Sequence, residues 1–106
     1  MKIISHRGNI KGPIPHKENE PSYIDIAIAN GFDVEVDIRY INGKFWLGHD
    51  LPDHEVTTEW IIDRKNNLWF HCKDLYSACA LNDLDTNIIK FCHSSDSYVL
   101  VSNNTI

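Results

Sequence analysis

The sequence predicts an α/β domain built on a parallel sheet, and three observations carry that prediction. Short β-branched and aromatic runs alternate with segments of helical length and helical apolar spacing. The run from Phe32 to Tyr40 (FDVEVDIRY) alternates strictly in polarity, as a strand with one buried face must. Turn residues stand at the joints: Gly8, Gly31 and the pair Asn42–Gly43.

Taken in chain order, Lys2 to His6 is β-branched and reads as a first strand, broken by Gly8. Pro13 and Pro15 hold the next segment extended as a loop. Glu18 to Pro21 leads into a helix from about Ser22 to Asn30, with Ile24, Ala27 and Ile28 as its apolar face and Gly31 as its stop. Phe32 to Tyr40 is the second strand. Asn42–Gly43 then turns the chain into a short return strand, Lys44 to Leu47, that ends at His49. Thr57 or Thr58 caps a second helix running to Arg64, with Asn66–Asn67 as its exit. Leu68 to Lys73 is the next strand, followed by a helix from Leu75 to about Leu81. Asn87 to Cys92 and Tyr98 to Ser102 close the order as strands. Phe45, Trp46, Trp60, Trp69 and Phe70 are expected in the core, and Asp53, His54 and Glu55 in a solvated loop. Strands alternating with such helices imply right-handed βαβ units.

At 106 residues the chain is expected to form one domain over residues 1–106. Its 42% hydrophobic and 24% charged content is that of an ordinary globular protein. A formal charge of −5, with Lys11, Lys17, Arg64 and Lys65 scattered, argues against a nucleic-acid partner, which needs a basic stripe. No apolar run approaches the roughly 20 residues that cross a bilayer. His6–Arg7 interrupts the N-terminal segment before a signal-peptide core could form. Cys72, Cys79 and Cys92 are odd in number and lack CxxC spacing, which suits reduced thiols and a cytoplasmic location. A zinc site at His71–Cys72 or Cys92–His93 is disfavoured, because strand neighbours face opposite ways.

The polar face of FDVEVDIRY is the chemical signal. Asp33, Glu35 and Asp37 share it, with Glu35 and Asp37 ~7 Å apart along the strand. Arg39 alone offsets their repulsion within the run, and a hard divalent cation would relieve it further. A plain solvated face is the competing explanation for such a strand. Two histidines tip the balance, His6 followed by Arg7 before it and His49 followed by Asp50 after it. Both emerge from strand ends near the carboxylates. Acid, base, anion clamp and metal seat together form a constellation suited to cleaving a phosphodiester.

HRGN at residues 6–9, the Lys17–Glu18–Asn19 triplet, the helix running into GFDVEVDIRY and GHD at residues 48–50 resemble the glycerophosphodiester phosphodiesterase family. The resemblance spans Ile3 to Asp50 in the family's order and spacing, and LWFHCK at residues 68–73 falls where its third strand would. It implies a (β/α)8 TIM barrel of the phospholipase-C-like type. It implies a divalent ion, Mg²⁺ or Ca²⁺ with Mn²⁺ possible, on Glu35 and Asp37. Arg7 would clamp the phosphate of a small phosphodiester substrate, as a lysine could not in the same paired geometry. His6 and His49 would divide the base and acid duties, and Glu18 and Asn19 would sit by the metal or orient Arg7. In the family's mechanism a neighbouring substrate hydroxyl attacks phosphorus, and water opens the cyclic phosphate.

Two features depart from that pattern. The family's third-strand Glu-x-Lys reads His71–Cys72–Lys73 here. His71 becomes either a metal ligand of softer preference or a strand histidine bonded to a neighbour, and Lys73 a phosphate contact or a solvated charge. A complete barrel needs about 250 residues, whereas this sequence provides four to five strands. A partial or truncated barrel is therefore expected, with a homodimer as one way to complete it. The alternatives to a hydrolase are a non-catalytic relative that binds a phosphorylated ligand or a partner chain, and a truncated inactive fragment.

Overall fold

The computed structural model describes residues 3–94 and 97–101, with side chains over 3–92. Lys2 and Ser102, expected in the first and last strands, and the side chain of His93 lie outside that description. The elements in order are β1 (Ile3–His6), α1 (Pro21–Ala29), β2 (Phe32–Ile41), β3 (Lys44–Leu47), β4 (His54–Val56), α2 (Thr58–Arg64), β5 (Leu68–Cys72), α3 (Leu75–Leu84), β6 (Lys90–Ser94) and β7 (Ser97–Val101). A single 3₁₀ turn, Lys65–Asn67, joins α2 to β5.

Local chemistry explains the boundaries. Pro21 stands in the first turn of α1, where its missing N–H costs nothing. Gly31, at φ +90°, turns the chain out of that helix. Thr57 caps α2 by accepting from the Trp60 N–H at 3.0 Å. Asp74 caps α3 by accepting from the Ser77 N–H at 2.7 Å, while the Ser77 hydroxyl donates back to the Asp74 carbonyl. α3 continues past Leu81 to Leu84. β6 starts later than expected because Asp85 accepts from the Asn87 N–H and its carbonyl from Ile88, a turn that consumes the residues before Lys90.

All the strands join one sheet, in the order β4-β3-β2-β5-β6-β7 with β1 also paired to β2. β1, β2, β5 and β6 run parallel, whereas β3, β4 and β7 are antiparallel to their neighbours. β5 pairs with residues 34–38 of β2. The overlapping registers force β1, on residues 32–35, and β3, on residues 38–41, to share the other edge of β2. Between them that edge is interrupted at Val36 and Asp37.

One face of the sheet carries the core. Val34, Val36 and Ile38 of β2 and Leu68, Phe70 and Cys72 of β5 pack with Ile24 and Ala27 of α1, Ile61 of α2 and Ala78 and Leu81 of α3. The other face carries His6, Asp33, Glu35, Asp37, Trp69, His71 and Phe91, linked by cross-strand contacts. Phe45 and Phe70 are buried as expected. Trp46 and Trp69 are only half-buried, because strand alternation sends them to the polar face. Lys90 is an exception inside the core: fully buried, its Nζ donates to the Ile88 carbonyl at 3.0 Å, and burial pushes its pKa down.

The architecture corrects the expected (β/α)8 arrangement. Instead of four or five strands of a partial barrel, the chain forms a small mixed α/β domain on an open seven-stranded sheet. The physical reasons are local. The Asn42–Gly43 turn, with both residues at positive φ, commits the chain to a hairpin after β2. β4, formed by residues expected in a solvated loop, extends that antiparallel edge. β7 folds straight back on β6, with Ser94 paired to Ser97, so no crossover helix follows β6. Among the described residues no helix is long and apolar enough to cross a membrane.

The packing makes a direct prediction. Leu81→Ala and Ile24→Ala should each destabilise by about 2–5 kcal/mol in urea titration. Tyr76→Ala, on the exposed face of the same α3, should stay within about 0.5 kcal/mol.

Candidate functional site

The interruption in the β2 edge is where the site is built. The Arg7 N–H donates to the Glu35 carbonyl at 2.7 Å as β1 ends, and the Gly48 N–H donates to the Asp37 carbonyl at 3.1 Å as β3 ends. Two chain segments distant in sequence therefore leave the sheet on either side of Asp37. Arg7 (φ +59°) and Asn19 (φ +65°) adopt left-handed backbone. Asparagine tolerates that region, and arginine enters it at a cost. The Asn19 N–H donates to the Arg7 carbonyl at 3.0 Å, so the two unusual turns hold each other.

Asp37 is 1% exposed and would be costly to bury ionised without partners. It has them on every side. The Asn19 amide donates to Oδ2 at 2.9 Å and its carbonyl oxygen accepts from the Asp37 backbone N–H at 2.9 Å. The Nδ1 of His71 lies 2.9 Å from Oδ1. Arg7 Nε approaches Oδ2 at 2.9 Å as an ion pair, although its N–H is not aligned for a hydrogen bond. Burial pushes the Asp37 carboxyl up, but the bonds from His71 and Asn19 and the Arg7 charge outweigh it and hold it well below the usual carboxylate range. His71 also stacks on Phe91, with ring centroids 4.9 Å apart and planes 7° off parallel.

Arg7 spreads its guanidinium across the site. Nη1 donates to Glu18 Oε1 at 3.0 Å, and Nη2 lies 2.7 Å from His49 Nδ1. The same Nη2 lies 3.4 Å from His49 Nε2, and Nδ1 lies 3.6 Å from Asp37 Oδ2. A guanidinium only donates, so the shorter contact favours a lone pair on Nδ1 and the ring proton on Nε2. Asn9 holds the second Glu18 oxygen at 3.0 Å. Burial raises the Glu18 carboxyl, while the bonds from Asn9 and Arg7 pull it down further, to a net value below its ordinary one. His49 Nε2 lies 3.6 Å from Asp50 Oδ1.

The loop carrying His49 is rigidly placed. Gly48, at φ +154°, could not carry a side chain, since a Cβ there would lie 1.7 Å from the Leu51 carbonyl oxygen. The Asp53 N–H donates back to the Leu47 carbonyl at 3.0 Å, and Arg39 Nη2 donates to the His49 carbonyl at 2.8 Å. The result is a cavity of about 460 Å³ that Arg7, Glu18, Asn19 and His49 line from within, with Asp50 and Asp53 also on its wall.

The structure thus gathers Arg7, Glu18, Asn19, Asp37, His49 and His71 into one network. It keeps three other expected residues apart. His6 pairs with Glu35 at 3.3 Å and lies on a neighbouring depression lined by Ile3, Ile4 and Ile10. Lys73 is fixed through its backbone N–H on the Ile38 carbonyl, and its ammonium enters none of the site's bonds. Both Asp37 oxygens face protein donors, and no three His, Cys, Asp or Glu side chains among the described residues converge as metal ligands. The donor set as arranged does not fit a divalent ion shared by Glu35, Asp37 and His71. Cys72 is no rival nucleophile, since burial pushes its thiol up to about 12. Sequence reasoning missed Asn9 as the partner of Glu18 and Arg39 as the anchor of the His49 loop. The strand alternation does place Arg39 on the face of Asp37, which was the available signal.

The depressed carboxyls set an acid limit. Asp37 and Glu18 contribute stability that is complete above their unfolded values of about 4 and lost as pH falls toward the folded ones. Asp37→Asn should cost about 3 kcal/mol at pH 7, because His71 loses its anionic partner and Arg7 keeps only Glu18 of its two carboxylates. It should also flatten the decline in acid, as read by urea titration at pH 7 and at about pH 2.5. The chain matches no protein-family model, no curated protein and no solved structure.

Proposed function

We propose that the chain is a phosphodiester hydrolase acting on glycerophosphodiesters or related polyol phosphodiesters, similar in its site residues to the glycerophosphodiester phosphodiesterases. The observation that carries the reading is the 2.7 Å approach of Arg7 to His49 inside a cavity that Glu18 and Asn19 also line. These four residues come from three of the motifs on which the resemblance rests. Together they put an anion clamp beside an acid–base group.

In this reading the phosphoryl oxygens take the Arg7 donors now shared with Glu18 and His49. His6, oriented by Glu35, removes the proton from the attacking substrate hydroxyl through its other ring nitrogen. The P–O bond to the leaving alcohol breaks, and His49 donates its Nε2 proton to that oxygen. Opening of the cyclic phosphate by water runs the two proton transfers in reverse.

A second reading has a specific observation behind it. His6 lies outside the cavity that holds His49, and the Arg7 donors are engaged within the protein. The placement of His6 favours a non-catalytic binder of phosphorylated ligands, while either reading requires a ligand to take over the Arg7 donors.

Hydrolysis of glycerophosphocholine and of a chromogenic phosphodiester, with and without Mg²⁺, Ca²⁺ or Mn²⁺, separates the two. Turnover should appear, and His49→Ala and His6→Ala should each lower kcat by about 10²–10⁴-fold. Arg7→Lys should also lose most activity while keeping its circular dichroism. Binding of glycerol phosphate without turnover under any metal would establish the binder instead, and turnover that survives all three substitutions would end the hydrolase reading.

A further inference from the structure

Among the described residues β1 pairs with β2 and with no other strand. A free strand edge presents unpaired N–H and C=O groups, and the register says which they are. The Arg7 N–H turns toward β2, onto the Glu35 carbonyl. Strand alternation then turns Ser5 the same way and leaves Ile4 and His6 with their backbone groups facing outward. The His6 carbonyl takes the Asn9 N–H at 3.1 Å, and its second lone pair stays open.

Free edges are usually guarded, as the one at β4 is. That strand is three residues long, Pro52 stands shortly before it, and its Glu55 pairs with Lys44 at 3.8 Å. Residues 3–6 of β1 carry no proline, lysine or carboxylate. Ile3 is 65% exposed and Ile4 45%, and with Ile10, Pro13 and Phe32 they line a depression of about 360 Å³ along the strand. Ser5 lines it too. It is 5% exposed, and among the described residues its hydroxyl has no hydrogen-bond partner, a shortfall that folded proteins rarely leave unmet.

A second copy of the chain meets all of these features at once. Two β1 strands laid antiparallel about a twofold axis at Ser5 set Ile4 of each copy opposite His6 of the other. Those are the outward-facing residues, and each such pair exchanges both its N–H···O bonds. On the axis Ser5 meets Ser5 across a non-hydrogen-bonded pair, ~4.5 Å apart at Cα, close enough for one hydroxyl to donate to the other. An axis at Ile4 would also match backbone groups, but it would set Ser5 against Ile3 and leave the hydroxyl alone. We propose that the chain forms a twofold dimer through the free edge of β1, with Ser5 on the axis. The contact is isologous, joins two open sheets into one and covers Ile3 and Ile4. It rests on neither reading of the phosphate site.

Light scattering after size exclusion should give twice the chain mass at about 100 μM protein, since an edge contact falls at the weak end of specific interfaces. Ile4→Lys sets a charge against the opposing strand twice over. It should raise the dimer Kd by about 10-fold or more with circular dichroism unchanged. Ile62→Lys, at an exposed isoleucine of α2, should leave the Kd alone. Ser5→Cys, in a Cys79→Ser background, should cross-link two chains when treated with glutathione disulfide, because the spacing on the axis suits a disulfide. The two thiols pass two protons and two electrons to that oxidant, which leaves as two glutathione thiols. Tyr76→Cys in the same background should cross-link far less. A monomer at that concentration, a dimer indifferent to Ile4→Lys, or a Ser5→Cys chain that cross-links no better than Tyr76→Cys overturns the proposal.

Discussion

A carboxylate that is 1% exposed must be paired or protonated, and Asp37 is paired. That requirement organises the whole site. Satisfying Asp37 takes an amide from the loop before α1, a guanidinium from the turn after β1 and an imidazole from β5. Each donor belongs to a different segment, so neutralising one side chain fixes the relative positions of all of them. Arg7, so placed, then reaches Glu18 and His49. The strained turns at Arg7 and Asn19 persist because the contacts they enable outweigh their backbone cost.

The sheet makes that convergence possible. β1 and β3 occupy the same edge of β2 without meeting, and Asp37 lies at the gap. A strand with one continuous neighbour would have no such opening. Ligand sites in open α/β sheets commonly lie beyond the carboxyl ends of parallel strands. Here the turn after β1 supplies one wall of the cavity and the loop after β3 the other. The helices supply none of the side chains that surround Asp37. They bury the opposite face, where Val34, Val36 and Ile38 stand back to back with the acidic row.

Much of this was legible in the sequence, for reasons that differ by element. The period-two pattern of FDVEVDIRY fixes which side chains share the polar face, and strand geometry leaves little freedom in that. The capping threonines located α2, and Asn42–Gly43 located the hairpin. The openness of the sheet was not legible. Parallel βαβ units look alike locally whether a sheet closes or not, and closure depends on how the strands at its two edges are paired. The three-residue β4 has no periodicity long enough to detect. Of the site, the motifs that hold Arg7, Glu18, Asn19 and His49 do converge in space on one cavity. The idea of Glu35 and Asp37 as an equivalent pair did not survive, because shared strand face does not mean shared partners. Asp37 sits at the gap and is enclosed, while Glu35 lies one residue pair back and turns to His6.

Two histidines in this network face opposite demands. His71 meets the Asp37 oxygen through Nδ1 and must carry a proton there, whereas His49 meets the Arg7 guanidinium most closely through Nδ1, which favours a lone pair there. Nitrogen-15 NMR of the imidazole rings near neutral pH distinguishes the two states directly. The network predicts a protonated Nδ1 in His71 and a proton on Nε2 alone in His49. A protonated Nδ1 in His49, or a bare Nδ1 in His71, would contradict it.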